Sequence, residues 1–415
     1  MIKRILKSEF FKASFWIFIA TGFSNVGNFL YHILMGRLLG PQNYGILYSS
    51  IALLYDISII TVPFSFIIIK FISSYKGKGD RDAISAFYFF LQNKFIIYGL
   101  IPFVILLISS PFITSFLHLP SIWFSIFIVL GFYLGLFPLL SRNTLQGLFN
   151  FFAVFVINTS EVFTKLLVAL LLVYLGFHAL GAFMGIFASV LVTFLVGWLF
   201  MKREKLKQVT KFPEGNKVFK YSIPVFMTTL GFTSLFTTDI LLVRNFFPGV
   251  ESGYYSILSV LGKIIYFGAF PIVMVLFPFV SEREAKGTEY RHLLFISLGF
   301  ASFISLILIL IYYFFPSLIV GKLFPSYVSV EPLLWVFGTF MAIYSLSSIL
   351  ANFYLSIHKN IASFFVMGSC LLQIVLIVIF HKDLLQVITM SIVATFILLV
   401  LLIGYYPFAV KTRNR

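Results

Sequence analysis

The sequence contains very little charge and almost no cysteine. Only 11% of its 415 residues are charged, whereas 60% are hydrophobic, and the mean hydropathy is +1.04. A water-soluble fold of this length exposes more surface than so few polar residues can cover. The single cysteine, Cys370, excludes an intramolecular disulfide. There is no GxxxxGK[ST] phosphate loop and the six histidines have no metal-ligand spacing, so neither an ATP-driven motor nor a bound cofactor is predicted.

Long apolar segments dominate the chain, and each is long enough to cross a bilayer as a helix of ~20 residues. The first follows a basic start, but it is too long for the apolar part of a signal peptide and lacks a small-residue cleavage site, so it is predicted to remain as an anchor. The twelve predicted spans are Ser14–Met35, Tyr44–Lys70, Ile84–Ser109, Ser121–Leu140, Asn150–Leu175, His178–Met201, Lys217–Val243, Gly253–Val280, Arg291–Pro316, Val328–Ile357, Ile361–Phe380 and Leu384–Pro407.

The positive charges lie in the short segments that connect these spans. The net charge of +16 would suggest nucleic acid if the charges formed a patch, but they concentrate in loops on one side of the predicted membrane. Lys and Arg in short loops favour the cytoplasmic side, which accounts for the excess without a nucleic-acid partner. Both termini and the polar stretch Met201–Lys217 are therefore predicted to be cytoplasmic.

The polar stretch divides the spans into two sets of six, and the two halves resemble each other. Arg37–Gly45 matches Arg244–Gly253, and at an offset of 208 residues Gly45 falls on Gly253 and Pro63 on Pro271. Because each half has an even number of spans, the halves share one orientation, and a pseudo-two-fold axis along the membrane normal is expected to relate them. The predicted organisation is a six-helix lobe at residues 1–201, a basic linker at 202–216 and a second six-helix lobe at 217–415, with a cavity between the two bundles.

The segment GRLLGPQNYGILYSSIALL (Gly36–Leu54) resembles the opening of polysaccharide flippases. These Wzx-like proteins share a superfamily with the MATE drug exporters and the lipid II flippases. The resemblance extends over the whole chain in span number, length and repeat. It implies a MATE-like fold, a cationic cavity, and alternating-access transport of lipid-diphosphate-linked oligosaccharides to the outer leaflet of the cell membrane. It also implies possible polymerase and glycosyltransferase partners and no catalytic signature.

Charged side chains inside the predicted spans are the candidate site residues, because a charge at mid-bilayer costs about 2.5–3.5 kcal/mol. Cations are expected to contact substrate phosphate, and acids, with a histidine, to couple or gate transport through H+ or Na+. The set comprises the candidate cavity cations Lys94, Arg142, Lys165 and Lys263, the coupling or gating residues His32, Asp56, Glu161 and Asp239, and the repeat-matched outer-loop arginines Arg37 and Arg244.

For each of these charges a purely structural role is the alternative. Glu161 and Lys165 are four residues apart on one helical face; they either neutralise each other or line the cavity, with Lys165 on substrate phosphate. The offset of 208 brings Asp56 next to Lys263, so the two either pair across the cleft in one access state or have separate partners within their lobes. Asp239 either titrates with a coupling ion or contacts Arg244 at the surface.

Two other functions remain open on the sequence. A MATE-type cation-coupled drug exporter would have the same architecture, but an acidic cavity for organic cations is expected there, whereas this chain offers Lys165 and Lys263. A membrane glycosyltransferase or polymerase would need acidic residues on a substantial outer loop. The longest predicted outer loop, Ser317–Tyr327, has none, and no enzymatic activity is predicted.

Overall fold

A computed structural model describes residues 9–206, 215–286, 288–357 and 359–410. Over these residues the chain is almost entirely helical and contains no strand. The helices are α1 Glu9–Ser58, α2 Val62–Gly77, α3 Arg81–Ile108, α4 Ser110–Phe116, α5 Ile122–Gly147, α6 Phe151–Leu172, α7 His178–Arg203, α8 Gly215–Phe246, α9 Val250–Ala285, α10 Arg291–Phe314, α11 Pro316–Leu323, α12 Leu334–Ser356, α13 Ile361–Ile379 and α14 Leu384–Ala409.

Ten helical stretches in the described residues are long and apolar enough to cross a membrane. Two of them, Gly22–Gly77 and Phe151–Arg203, have 56 and 53 residues, which is more than twice the ~20 residues that one span needs. Each long stretch is broken at a glycine with a positive φ, Gly40 at 65° and Gly176 at 87°. Each therefore supplies two spans, which gives the predicted twelve. The prediction of an all-α, multi-pass membrane fold is confirmed.

The break in α1 follows from its sequence. Gly40 adopts φ 65° and ψ 174°, a conformation that a residue with a Cβ rarely tolerates. The next residue, Pro41, has no backbone N–H to continue the helical hydrogen bonds. The loop predicted at Arg37–Gly45 is thus a sharp break inside a helical stretch.

The chain forms two compact units. The first unit comprises Met1–Leu39 and Ile57–Ile223, and the second comprises Gly40–Asp56 and Pro224–Arg415. The segment Gly40–Asp56 therefore belongs to the unit formed by the second half of the chain. Most of the predicted linker 202–216 and the basic termini lie outside the described residues, so the lobe boundaries 1–201 and 217–415 stay a prediction.

Each unit has its own apolar core. In the first unit, α2, α3 and α5 pack around Ile68, Phe87 and Leu140, and the rings of Phe71 and Phe87 stack at 5.2 Å. In the second unit, helices α8, α9, α10, α12, α13 and α14 contribute to one core. Because lipid is as apolar as these side chains, their packing contributes mainly van der Waals contact and close helix approach.

Short helices occupy two loops that the sequence does not predict as structured. Helix α4 lies between the third and fourth spans, and α11 lies in the predicted outer loop Ser317–Tyr327. Both begin with a proline at the first or second helical position, where the fixed φ of proline favours a helix and its missing N–H has no cost. A 3₁₀ segment, Pro325–Leu333, then leads into α12.

Candidate functional site

A lysine lies in the middle of α9. Lys263 follows Val250 by thirteen residues, about 20 Å along the helix axis, and only 7% of its surface is exposed. Apolar residues on both sides keep this segment in the membrane, so its ammonium is held where water is scarce. A cation at such a depth requires partners inside the protein or in a hydrated path.

The partners of Lys263 are mainly aromatic. Its Nζ donates a hydrogen bond of 3.2 Å to the Tyr48 hydroxyl and lies 3.9 Å from the centre of the Phe236 ring. The Tyr48 hydroxyl is also 3.3 Å from the Ser259 hydroxyl. Aromatic faces attract a desolvated cation, but they carry no negative charge to neutralise it.

Two carboxylates lie near the lysine. Asp239 is buried, with 1% exposure, and it accepts hydrogen bonds from the Tyr255 hydroxyl at 2.7 Å and from the Ile240 amide at 2.9 Å. Asp56 accepts a hydrogen bond from the Thr237 hydroxyl. Lys263 interacts electrostatically with both carboxylates.

Among the described residues, no salt bridge joins Lys263 to either carboxylate. We call this group the Lys263 cluster; it consists of Tyr48, Asp56, Thr237, Asp239, Tyr255 and Lys263, all within the second unit. Asp56 and Lys263, predicted to face each other across a cleft, are therefore both part of one compact unit. The cluster combines one cation, two carboxylates and several hydroxyl groups, but the cation forms no salt bridge with either carboxylate.

The segment Gly40–Asp56, which carries two members of the cluster, is fixed by a close backbone approach. A Cβ on Gly253 would lie 1.9 Å from the Pro41 carbonyl oxygen, and one on Gly45 would lie 2.7 Å from the Gly253 amide nitrogen. Real Cβ atoms do not approach backbone atoms so closely. Gly45 and Gly253, which the offset of 208 residues matches, are thus packed against each other.

The repeat-matched polar residues next to this contact have different environments. Arg244 is 3% exposed and its Nη1 donates a hydrogen bond of 2.9 Å to the Ser252 hydroxyl, whereas Arg37 is exposed. The ring of His32 lies 5.6 Å from that of Tyr31 in the first unit, while its repeat match Asp239 is in the Lys263 cluster. Residues at matched positions of the repeat therefore differ in their burial and in their contacts.

The first unit contains a second group of charges. One alternative was that Glu161 and Lys165 neutralise each other; in the structure Oε2 of Glu161 lies 2.5 Å from Nη2 of Arg142, and Glu161 also interacts electrostatically with Lys165. Lys165 donates a hydrogen bond to the Asn28 side-chain oxygen and lies 5.1 Å from the centre of the Tyr31 ring. The guanidinium binds the carboxylate more favourably than the ammonium four residues away, because its fixed donors match the carboxylate geometry.

Several buried polar atoms near this ion pair have no protein partner. Among the described residues these include Nε of Arg142, the side-chain oxygen of Asn158 and the hydroxyl oxygen of Thr159. Buried polar groups in native proteins are nearly always hydrogen-bonded to protein, water or ligand. The arrangement is typical of a hydrated or ligand-binding region.

Removing the Glu161 carboxylate tests this pairing. We expect Glu161→Gln to lower the free energy of unfolding by about 1 kcal/mol, because the pair is about one-third exposed and partly screened. We expect the double variant Arg142→Gln/Glu161→Gln to recover most of the loss. Unfolding of the purified protein in detergent measures both, and a double variant no more stable than the single would contradict the pairing.

Lys94 lies apart from the other intramembrane cations, near the middle of α3. The sequence allowed its ammonium to snorkel toward the cytoplasmic edge. Instead, Nζ lies 4.7 Å from the centre of the Tyr98 ring and 5.5 Å from that of Phe90, and it donates a weak hydrogen bond of 3.4 Å to the Tyr98 hydroxyl. The ammonium therefore lies between the rings of Phe90 and Tyr98, which are four residues to either side of Lys94 on α3.

Sequence reasoning missed the hydroxyl groups that organise the Lys263 cluster. The sequence analysis does not single out Tyr48, Thr237 or Tyr255. A weak signal was present, because Thr237 and Tyr255 lie near Asp239 in the sequence. The contact of Tyr48 with Lys263 joins residues 215 positions apart, and no local spacing reveals it.

A family model described as "Polysaccharide biosynthesis protein" matches residues 10–284. No curated protein sequence matches the chain significantly.

Two solved structures share the fold. One is a lipid II flippase, MurJ, in an inward closed conformation, with a TM-score of 0.73, 15% identity, and coverage of 94% of this chain and 86% of that one. The other is an inward-facing multidrug resistance MATE family transporter of the MOP superfamily, with a TM-score of 0.78, 14% identity, and coverage of 94% and 96%.

Proposed function

The chain belongs to the polysaccharide biosynthesis protein family, and we propose that it is a flippase for a lipid-diphosphate-linked oligosaccharide. It moves this substrate from the cytoplasmic to the outer leaflet of the cell membrane by alternating access. Family membership supports the link to polysaccharide synthesis. The fold, shared with a lipid II flippase and with MATE transporters, supports transport as the activity and not catalysis.

The observation that carries the proposal is the buried ammonium of Lys263. Its protein contacts are a hydroxyl and an aromatic ring, and no salt bridge closes around it in the described part of the chain. Neither nearby carboxylate contacts the ammonium directly, so a substrate diphosphate can bind it through charge-assisted hydrogen bonds. Arg142 and Lys165 in the first unit are the next cations that we propose for the substrate path.

We also propose that the segment Gly40–Asp56, which carries Tyr48 and Asp56 of the Lys263 cluster, moves during transport. Gly40–Asp56 is covalently continuous with the first unit at both ends but packs within the second. We propose that the Gly45–Gly253 contact forms in one access state and opens in another. Tyr48 and Asp56 move with this segment, so the surroundings of Lys263 change with the state of transport.

A MATE-type drug exporter is the second candidate function. The two carboxylates Asp56 and Asp239 favour it, because an organic cation requires acidic partners. Reconstituted proteoliposomes distinguish the two: we expect translocation of an undecaprenyl-diphosphate-linked oligosaccharide and no accumulation of the organic cation ethidium. Ethidium transport without glycan translocation would establish the exporter instead.

We propose that Asp239 couples transport to H+ or Na+. A negative charge buried this deeply is costly, because it has lost its contact with water. A bound cation or proton offsets that cost and therefore stabilises the carboxylate. We expect Asp239→Asn to retain passive glycan translocation but to lose its dependence on an imposed H+ or Na+ gradient. The exposed Asp383→Asn, at the start of α14, is the matched control.

Two outcomes of that assay decide the role of Asp239. Loss of gradient dependence in Asp239→Asn, with the control unchanged, supports coupling through this residue. Gradient dependence that persists in Asp239→Asn removes the residue from the coupling role.

We also propose that both termini are cytoplasmic and that polysaccharide polymerases or glycosyltransferases are partners. The excess of Lys and Arg in one set of loops supports the orientation. Labelling of a single introduced cysteine at residue 413 by a membrane-impermeant maleimide in intact cells tests it: after Cys370→Ser, no labelling is expected until the membrane is opened.

A further inference from the structure

An apolar groove in the first unit contains a single positive charge. It has a volume of about 490 Å³ and lies between the start of α2, the middle of α3 and α5. We call it the Lys94 groove; the residues used here are Thr61, Phe64, Phe90, Lys94, Tyr98 and Phe132. Its volume is within the range of 300–1,000 Å³ that is typical of ligand pockets.

The groove is built by irregularities in the helices around it. A 3₁₀ turn, Ile59–Thr61, separates α1 from α2 and forms one wall. Gly99 lets α3 approach α5, since a Cβ there would lie 2.6 Å from the Leu136 side chain. Pro102 interrupts the hydrogen bonding of α3 one turn farther along. The shape of the groove is therefore set by backbone features, and it does not depend on the rotamer of one side chain.

The groove is open on the side where the lysine lies. Tyr98 is 53% exposed, and Ile97 and Ile101, each three residues from a lining position on α3, are 61% and 55% exposed. Exposed apolar side chains at the middle of a span contact hydrocarbon. A lipid chain therefore has access to the groove without crossing a polar barrier.

The lysine has no carboxylate to neutralise it. In the described residues its ammonium contacts only Tyr98 and the Phe90 ring, and it takes part in no salt bridge. It follows Arg81 by thirteen residues, about 20 Å from the start of α3, so it lies deep in the hydrocarbon region. An occupant that has both a hydrocarbon chain and an anion fits these two features together.

The second unit offers an internal comparison. A groove of about 450 Å³ between α9 and α10 includes Pro271, which the offset of 208 residues matches to Pro63 of α2. Its lining includes Leu276, Phe279 and Phe300, and none of its described lining residues is charged. Apolar grooves thus occur in both units, but only the first has an ammonium.

We propose that the Lys94 groove binds the isoprenoid carrier of the substrate, with the first part of the chain against the aromatic wall and the diphosphate at Lys94. The inference rests on the proposed function and specifies which part of the substrate the first unit holds. The Lys94 ammonium selects for the anion, and the aromatic walls select for a hydrocarbon chain. The uncharged groove of the second unit can bind a hydrocarbon chain, but it has no ammonium to select for the anion.

Photocrosslinking of the full-length protein in phosphatidylcholine nanodiscs tests the proposal. Benzoylphenylalanine replaces Phe90 in the Lys94 groove or Phe300 in the uncharged groove, and the probes are undecaprenyl diphosphate and undecaprenol. We expect undecaprenyl diphosphate to crosslink about tenfold more at position 90 than at position 300, as the loss of one charge-assisted contact predicts. We expect undecaprenol to crosslink similarly at both.

Lys94 variants then separate the charge from the groove. We expect Lys94→Met to lower the yield at position 90 by about tenfold for the diphosphate, with no change for undecaprenol, and Lys94→Arg to retain most of it. Equal yields at the two positions in the otherwise native protein would overturn the proposal, and this comparison does not require any Lys94 variant to fold. An unchanged yield in folded Lys94→Met, or displacement of the probe by an equal amount of phosphatidylglycerol, would also overturn it.

A translocation assay on the same preparations separates this inference from the proposed function. Glycan translocation without preferential crosslinking at position 90 contradicts the groove alone. If the protein neither binds undecaprenyl diphosphate anywhere nor translocates the glycan, the proposed function fails as well.

Discussion

Replacing Lys263 by methionine is expected to reduce translocation of an undecaprenyl-diphosphate-linked oligosaccharide by about tenfold to hundredfold, since a hydrogen bond to a charged group contributes about 1.5–3 kcal/mol. Methionine keeps the length of the side chain and removes the ammonium that is held between Tyr48 and Phe236. The initial rate in proteoliposomes, normalised to the inserted protein, is the measurement. We expect Lys263→Arg to retain a substantial part of the rate.

The controls separate a transport role from a structural one. Lys382→Met removes an exposed lysine of the same unit and should leave the rate unchanged. If Lys263→Met is unstable, the double variant Asp239→Asn/Lys263→Met removes the uncompensated charge and should recover stability without recovering translocation. A double variant that recovers both would show that Lys263 only balances charge.

Placing a methyl group on Gly253 is the second change with a large expected effect. In Gly253→Ala the new Cβ would lie 1.9 Å from the Pro41 carbonyl oxygen, which requires the backbone of Gly40–Asp56 to shift. Overpacking costs about 1–3 kcal/mol, which corresponds to about a tenfold to hundredfold change in the population of the packed state. We expect translocation to slow by about tenfold or more, because this state is one of the access states that we propose.

A second glycine provides the matched control. Gly368 lies inside α13, and a Cβ there would meet no atom within 4 Å. Gly368→Ala should leave translocation unchanged and raise stability by about 0.5–1 kcal/mol, the usual preference for alanine over glycine in a helix. If Gly253→Ala behaves like Gly368→Ala in both assays, the Gly45–Gly253 contact has no role in transport.

The sequence predicted the scaffold well because bilayer thickness dictates it. Each span needs ~20 apolar residues, and this requirement can be read directly from hydropathy. The predicted spans leave a loop between Met35 and Tyr44, and the chain breaks there at Gly40. The internal repeat corresponds to a contact in the structure, because the matched residues Gly45 and Gly253 pack against each other.

The partners of the charges could not be predicted in the same way. Spacing along a helix correctly placed Glu161 and Lys165 on neighbouring positions, but it did not show that Arg142 on α5 approaches the carboxylate to 2.5 Å. The cluster around Lys263 likewise depends on Tyr48, more than two hundred residues away in the sequence. Local rules describe the helix that presents a charge, and tertiary packing determines what that charge meets.

The cations that we propose as contacts of the substrate occur in both units. Lys263 belongs to the second unit, whereas Arg142, Lys165 and Lys94 belong to the first. We propose both Lys263 and Lys94 as contacts of the diphosphate, and of these two only Lys94 lies in the groove proposed for the isoprenoid chain. Variants of Lys94 and Lys263 should therefore affect binding of the carrier lipid and translocation to different extents.

Translocation by the purified protein tests the central claim most directly. Proteoliposomes receive an undecaprenyl-diphosphate-linked oligosaccharide in one leaflet, and a membrane-impermeant glycosidase reports its arrival in the other. The account predicts that the protein accelerates this transfer, that an undecaprenol-linked glycan without the diphosphate is transferred poorly, and that Lys263→Met abolishes the difference. Equal transfer of both glycans by the unmodified protein, or transfer of neither, would contradict a substrate path built on cations that attract phosphate.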